Sequence, residues 1–428
     1  MVRWSAIRAG RSPDQADTAP AMLAYDRLLL QCADVTHAST LAPSSVTRPG
    51  IRGRVTHPLV AALGLFAVAR IAGLAVLAAT AWAAGHGPLT LLGRSWDSRW
   101  YLGIAAHGYV RTLHIRPGTV FSDLAFFPLY PALVRTVTAL TPLSGGAAGL
   151  VVSWAAAAVA AAGIHALALR LHGRAVATAL VLLWGLLPHS VVLSLAYTEP
   201  VLTAFAAWSL YAVLTGRWVW AGALAALAGL ARPNGVAAAA AVLATASYEI
   251  VRCVRARRKV THRLWTGAAL APLGWLGYVL WVGHREGDLL GGYFAVQRRW
   301  GSRFDLGAGS LRFVRHLALD SDRMVFPVAL LLVAAAVLLF ALLLADRAPL
   351  PLLVYSGVLL LVALGGSGFF ASKPRFLLPA FPLLLPLARA LVRTARARPW
   401  HAAVVTAALA GLSFGYGAYL VVLAGTPL

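Results

Sequence analysis

Residues 325–345 read VFPVALLLVAAAVLLFALLLA, a run of 21 residues without a charged side chain. As a helix, such a run reaches about 30 Å, the thickness of a bilayer's hydrocarbon core. Comparable runs recur near 57–82, 147–169, 174–194, 198–215, 217–231, 235–251, 264–283, 349–367, 376–392 and 402–424. The run at 217–231 is short for a span. Composition agrees: of 428 residues, 60% are hydrophobic and 12% charged, and mean hydropathy is +0.75. Soluble domains are about half apolar and a quarter charged. No single core hides this much apolar surface, so lipid is the solvent for most of it. A cytosolic enzyme, a disordered hub and a secreted disulfide scaffold are excluded. The sequence predicts an all-α polytopic membrane protein of about eleven transmembrane helices.

Residues 1–56 are polar and lack the unbroken apolar core of a signal peptide. They read as a mobile cytoplasmic tail with a short helix at Met22–Leu30, ahead of a membrane domain over 57–428. Lys and Arg number 37 against 14 Asp and Glu, a net charge of +23, and Lys259 and Lys373 are the only lysines. The cations cluster between apolar runs instead of forming one stripe. That pattern serves topology, anionic lipid or phosphate, and argues against a nucleic-acid partner. Cys32 and Cys253 lie far apart and form no disulfide framework or metal pattern.

Positive charge also orients the chain. The loop with Arg252, Arg255, Arg257, Arg258, Lys259 and Arg263 is the densest cationic one, and Arg170/Arg174, Arg393/Arg396/Arg398 and the tail's Arg48/Arg52/Arg54 behave alike. Placing all four inside requires even numbers of crossings between them. The run list satisfies this only if 121–140, with two early prolines and Arg135, lies in the interface and does not cross. Loops 83–146, 195–197, 232–234, 284–324 and 368–375 then share the outer face. Loop 284–324 carries about seven Arg, which is tolerable because long loops translocate largely regardless of charge.

Several outer residues carry chemistry beyond what packing needs. Arg94-Ser95-Trp96-Asp97-Ser98-Arg99-Trp100-Tyr101 sets a carboxylate between two indoles at the interface. Asp97 there suits a general base taking a proton from a hydroxyl, or an ion pair with Arg94 or Arg99. His107 is a second acid/base or an interfacial histidine, and Asp123 suits a helix N-cap. In Tyr197-Thr198-Glu199-Pro200, Thr198 suits an N-cap and Glu199 complements a helix dipole or binds hydroxyls. Ala231-Arg232-Pro233-Asn234-Gly235 is a turn that does not require Arg232. In Phe369-Phe370-Ala371-Ser372-Lys373-Pro374-Arg375-Phe376, two cations open an outer span against the macrodipole, a placement that calls for a bound phosphate or for snorkelling to headgroups. No Gly-rich nucleotide loop, HExxH or nucleophile elbow is present. An acidic base beside a phosphate clamp, on a face where nucleotides are scarce, points to a membrane-bound phosphate donor.

WDSRWYLGIAAHGY, AFFPLYPALVR, AYTEP, ARPNG and KPRFLLPAFPLLLPLA, in this order, resemble the PIG-V-like mannosyltransferases (GPI mannosyltransferase II and its bacterial relatives) of the GT-C superfamily, over roughly 57–395. The resemblance implies a GT-C-like fold with interfacial helices in the first extracytoplasmic loop. It also implies an inverting transferase that uses polyprenyl- or dolichyl-phosphate mannose and needs no nucleotide or metal cofactor. Asp97 matches the family's catalytic position. Lys373 and Arg375, with Arg232, match its phosphate-holding cations. Trp96, Trp100, Tyr101, His107, Asp123, Tyr197, Glu199 and Asn234 are the candidate substrate-binding set. The implied partners are the bilayer, the lipid-linked mannose donor and a glycan or protein acceptor, and a further membrane subunit is left open. The Arg-rich, Lys-poor usage suggests a GC-rich bacterial genome, so the expected setting is the plasma membrane with the site on its extracytoplasmic face. The rival class is a lipid or sugar-lipid flippase, for which Arg70 is the clearest mid-span charge.

Overall fold

The computed structural model describes residues 58–116, 119–320 and 324–424. The expected tail helix at Met22–Leu30, the tail's Arg48, Arg52 and Arg54, and Cys32 lie outside them. Among the described residues, six helices are long and apolar enough to cross a bilayer, or seven if one bent pair counts as a span. The six are Pro58–Ala83, Gly145–Gly185, Pro233–Arg255, His262–Arg285, Val325–Ala345 and Pro399–Leu423. Three expected spans are shorter as helices: Glu199–Leu214, Trp218–Ala231 and Leu350–Gly365. The expected span at 376–392 is part of the bent pair, Phe370–Leu377 with Phe381–Ala397, whose limbs meet at 78°. Several of the about eleven expected transmembrane helices are therefore shorter, bent or joined end to end.

Gly145–Gly185 has 41 residues and joins the runs expected at 147–169 and 174–194. Straight, it would measure about 60 Å, twice the hydrocarbon core. It is broken at Gly173, whose φ of 80° and ψ of 179° no helix contains, between Arg170 and Arg174. The second limb stops at Gly185, well short of the expected 194. Beyond it runs an irregular segment with one 3-10 turn at Ser190–Ser194, and every residue from Pro188 to Ala204 is buried.

Irregular backbone at membrane depth persists only where protein satisfies its polar groups. Here it does. Arg70 donates to the Gly185 carbonyl at 2.7 Å and to the hydroxyls of Ser190 and Ser194. Ser413 donates to the Leu187 carbonyl at 3.0 Å, Trp154 to that of Ser194 at 3.1 Å and Ser153 to that of Tyr197 at 2.8 Å. The mid-span arginine thus ties down the segment that leads into Tyr197-Thr198-Glu199.

The short helix Trp218–Ala231 is rich in Ala and Gly because it packs backbone to backbone on Leu273–Arg285. A Cβ at Gly274 would run into the Ala226 carbonyl. Segment 121–140 forms a 3-10 turn, Asp123–Ala125, and a 12-residue helix, Leu129–Leu140, too short to span. Two small antiparallel ribbons interrupt the all-helical expectation. Thr112–Arg116 pairs with Thr119–Ser122, and Arg303–Phe304 pairs with Gly366–Ser367. The second ribbon, and the stacking of Trp300 on Phe121, lock loop 284–324 to its neighbours.

Candidate active site

Four loops deliver one charge each. Asp97 opens the helix Asp97–His107 directly after Trp96, whose φ of 43° and ψ of −110° are costly for a residue with a side chain. Glu199 opens Glu199–Leu214, with Pro200 in the first turn, where its missing N–H costs nothing. Arg232 leaves Trp218–Ala231 in extended backbone. The turn after it, Pro233–Gly235, folds back so closely that a Cβ at Gly235 would strike the Ala228 carbonyl. Arg375 lies in the short helix Lys373–Leu377, on the first limb of the bent pair.

These four side chains meet. Arg375 Nη1 lies 2.9 Å from Asp97 Oδ2, and Arg375 Nε lies 3.2 Å from Glu199 Oε1. Arg232 Nη1 reaches the same Glu199 oxygen at 2.5 Å. Two carboxylates and two guanidiniums cancel, as burial demands. Side-chain exposure is 1% for Glu199, 6% for Arg375 and 9% for Arg232, but 25% for Asp97. The contacts are ionic and poorly directed: both Glu199 oxygens and Arg375 Nε and Nη1 have no hydrogen-bond partner. The cluster is held by ion pairing, which leaves its directed hydrogen-bonding capacity largely unused. Arg94 and Arg99 do not supply Asp97's ion pair; Arg99 donates to the Arg94 carbonyl at 3.0 Å.

Tyrosines wall the cluster. The Arg375 guanidinium carbon sits 5.2 Å from the Tyr197 ring centre, and the Tyr197 hydroxyl is buried beside the Asp97 backbone N–H. Tyr101, one helical turn after Asp97, packs edge-on against Phe126 and Tyr130 at 5.1 and 5.3 Å. Burial pushes its phenol up to about 12, with Arg232 pulling it down and Asp97 adding to the rise. Burial likewise raises Tyr197 well above the ordinary phenol range. Both remain neutral hydrogen-bonding groups near pH 7.

The other candidates are placed differently. Asn234 is buried in the turn after Arg232. Trp96 is 42% exposed. Trp100 stacks on Phe126 at 5.6 Å, with the Arg111 guanidinium over its ring. His107 is exposed at the far end of its helix, about 15 Å along the axis from Asp97. Asp123 Oδ2 accepts the backbone N–H groups of Val110 and Arg111 at 3.0 and 2.7 Å, tying down the first ribbon. Burial raises its carboxyl, and those two bonds oppose the rise. It is not the cap expected of it: Ser122 Oγ accepts the Leu124 N–H. Thr198 is not a side-chain cap either, because its hydroxyl faces Arg232 Nη1 at 3.3 Å.

Lys373 departs most from expectation. Its ammonium donates to the Ala363 carbonyl at 2.7 Å, the Gly366 carbonyl at 2.8 Å and the Ser310 hydroxyl, which uses all three of its protons. It borders a cavity of about 300 Å³ lined by Ser310, Phe313, Phe326, Phe369 and Phe370, apart from the contacts made by Arg375.

Sequence reasoning missed Phe376, whose ring lies 5.2 Å from the Arg375 guanidinium and 5.7 Å from that of Arg232. An aromatic following KPR was the available signal. It also missed Ser98, a buried hydroxyl without a partner beside Asp97, for which sequence offers no signal. Among the described residues, no group of three or more His, Cys, Asp or Glu is arranged to hold a metal ion.

No family model matches this chain, and no curated protein matches it. Among solved structures, the chain is similar to the oligosaccharyltransferase of Archaeoglobus fulgidus in its apo form, with 13% identity and a TM-score of 0.49. The likeness covers 86% of this chain and 56% of that one, so this chain spans little more than half the length of that structure.

Proposed function

We propose that this protein is a membrane glycosyltransferase of the GT-C type, related to the PIG-V-like mannosyltransferases. It transfers a mannosyl residue from a polyprenyl-phosphate donor to a hydroxyl of a glycolipid, lipoglycan or exported protein. The observation that carries this reading is the 2.9 Å contact between Asp97 and Arg375, a base and an anion-binding group that are remote in sequence. The five ordered motifs support it independently.

Asp97 takes the acceptor's hydroxyl proton as that oxygen forms its bond to the anomeric carbon. The bond from that carbon to the phosphate oxygen breaks on the opposite face, inverting the configuration, and the electron pair leaves with the phosphate. Arg375, backed by Arg232, neutralises the charge that builds there. Tyr101, Tyr197, Glu199 and Asn234 line the sugar's side. The glycosyl–phosphate bond is already activated, so no nucleotide is called for. In this reading the site faces the extracytoplasmic side of the plasma membrane.

The test is transfer of radiolabelled mannose from polyprenyl-phosphate mannose in membranes containing the protein. Asp97→Asn should lower transfer about 10²- to 10⁴-fold at unchanged protein level. A folded Asp97→Asn protein with full activity defeats the assignment. The bent helix pair favours a second reading, a lipid or sugar-lipid flippase. Labelled lipid that crosses the bilayer with its sugar still attached would select it.

A further inference from the structure

The site's charges sort by access. Glu199, Arg232 and Arg375 are each less than a tenth exposed, and together they carry a net charge of +1. An uncompensated buried charge is costly, so this trio requires one monoanion. Asp97 supplies it, and it is the one member of the four with solvent access, at 25%. Its grip is partial: Arg375 Nη1 lies within ion-pairing distance of Asp97 Oδ2 yet has no directed hydrogen bond. Asp97 also stands at a helix start behind the strained Trp96 backbone, so a small change there re-aims it.

We propose that Asp97 is the resting counter-ion of an anion site built on Arg375, and that the phosphate of the donor displaces it. This rests on the transferase reading above and adds an order of events to it. A sugar phosphodiester carries one negative charge, so it replaces the carboxylate charge for charge and leaves the buried trio neutralised. The displaced carboxylate, no longer held by the guanidinium, is then free to accept a proton. With no donor bound the base stays occupied, which protects the enzyme from activating a hydroxyl that has nothing to attack. The device needs no moving domain, only exchange of one anion for another on a fixed cation.

Equilibrium binding of radiolabelled decaprenyl-phosphate mannose, a phosphodiester, to the purified full chain in detergent micelles without acceptor tests the exchange. If Asp97 competes for Arg375, Asp97→Asn binds the lipid phosphate roughly fivefold more tightly than the unaltered protein, because a partly exposed ion pair no longer has to be broken. Unchanged or weaker binding by a folded Asp97→Asn protein overturns the proposal. Should that variant fail to fold, Asp97→Ser is read by the same criteria. Arg375→Gln is the separate control: it should abolish binding whether or not Asp97 is present. Retention of binding by Arg375→Gln sinks the placement of phosphate on that arginine, a different failure from the absence of competition by Asp97.

Discussion

Lys373 and Arg375 are two residues apart in one short helix, both buried, yet they occupy opposite electrostatic worlds. Arg375 lies against two carboxylates. Lys373 lies against two carbonyls and a hydroxyl. Helical geometry explains the split, since positions i and i+2 are rotated by about 200° and cannot serve one ligand. One cation is therefore set in a charge network that exchange of an anion can reorganise. The other is saturated by neutral dipoles and fastens the 301–310 region to the strand at Gly366–Ser367. KPRF joins a lock and a clamp, and substitutions should separate them.

The largest effect is expected at the carboxylate that both guanidiniums share. Glu199→Gln leaves two buried cations facing Asp97 alone, and removing one partner of a buried ion pair costs about 3–5 kcal/mol. Thermal unfolding in detergent should show it as a large drop in midpoint. An unshifted midpoint would mean that water already neutralises the cluster.

Next comes the contrast itself, in activity. Arg375→Gln should reduce transfer about 10²- to 10³-fold, the usual loss when one group stabilising a departing oxyanion is removed. Lys373→Met should reduce it less than about tenfold, because that ammonium has no proton left for a ligand. Equal losses at the two positions would dissolve the distinction between lock and clamp.

How much of this was legible in the chain follows from which interactions are local. The apolar runs, the non-crossing 121–140 segment and the loops that hold Asp97, Glu199, Arg232 and Arg375 can be read from periodicity and charge. Those quantities depend on neighbours in sequence. The early end of the helix at Gly185 is only half legible: Pro188-His189-Ser190 interrupts the apolar run of residues 186–194. What unwinds them is satisfied from afar, by Arg70 and Ser413. Pairing Lys373 with Arg375 followed proximity in sequence and ignored the helical period. Asp123 is a similar case: an acidic residue near the motifs looks chemical, but its carboxylate is used by the backbone N–H groups of Val110 and Arg111, just ahead of the first ribbon.

For stability, Lys373→Met should cost about 2–3 kcal/mol. Methionine fills the space but leaves the Ala363 and Gly366 carbonyls without their buried donor. The loss should come with faster proteolysis in 301–310, since the tether joins that region to the bent pair. A midpoint drop without loosening there would place the strain elsewhere in the fold.

Ser310→Ala should produce the smallest shift. It removes one of three acceptors from the ammonium, and a hydroxyl that itself donates to the Leu364 and Gly366 carbonyls at 3.2 and 3.3 Å. The cation keeps both of its carbonyl partners, so no charge is stranded, and the cost should be near 1 kcal/mol, that of a single neutral hydrogen bond. At the clamp, by contrast, no comparably mild substitution exists, because every member of that cluster carries a full charge. If Ser310→Ala matched Lys373→Met in unfolding midpoint, the hydroxyl and not the carbonyl pair would be what holds the lysine. The lock would then depend on the 308–320 helix and not on the end of Leu350–Gly365.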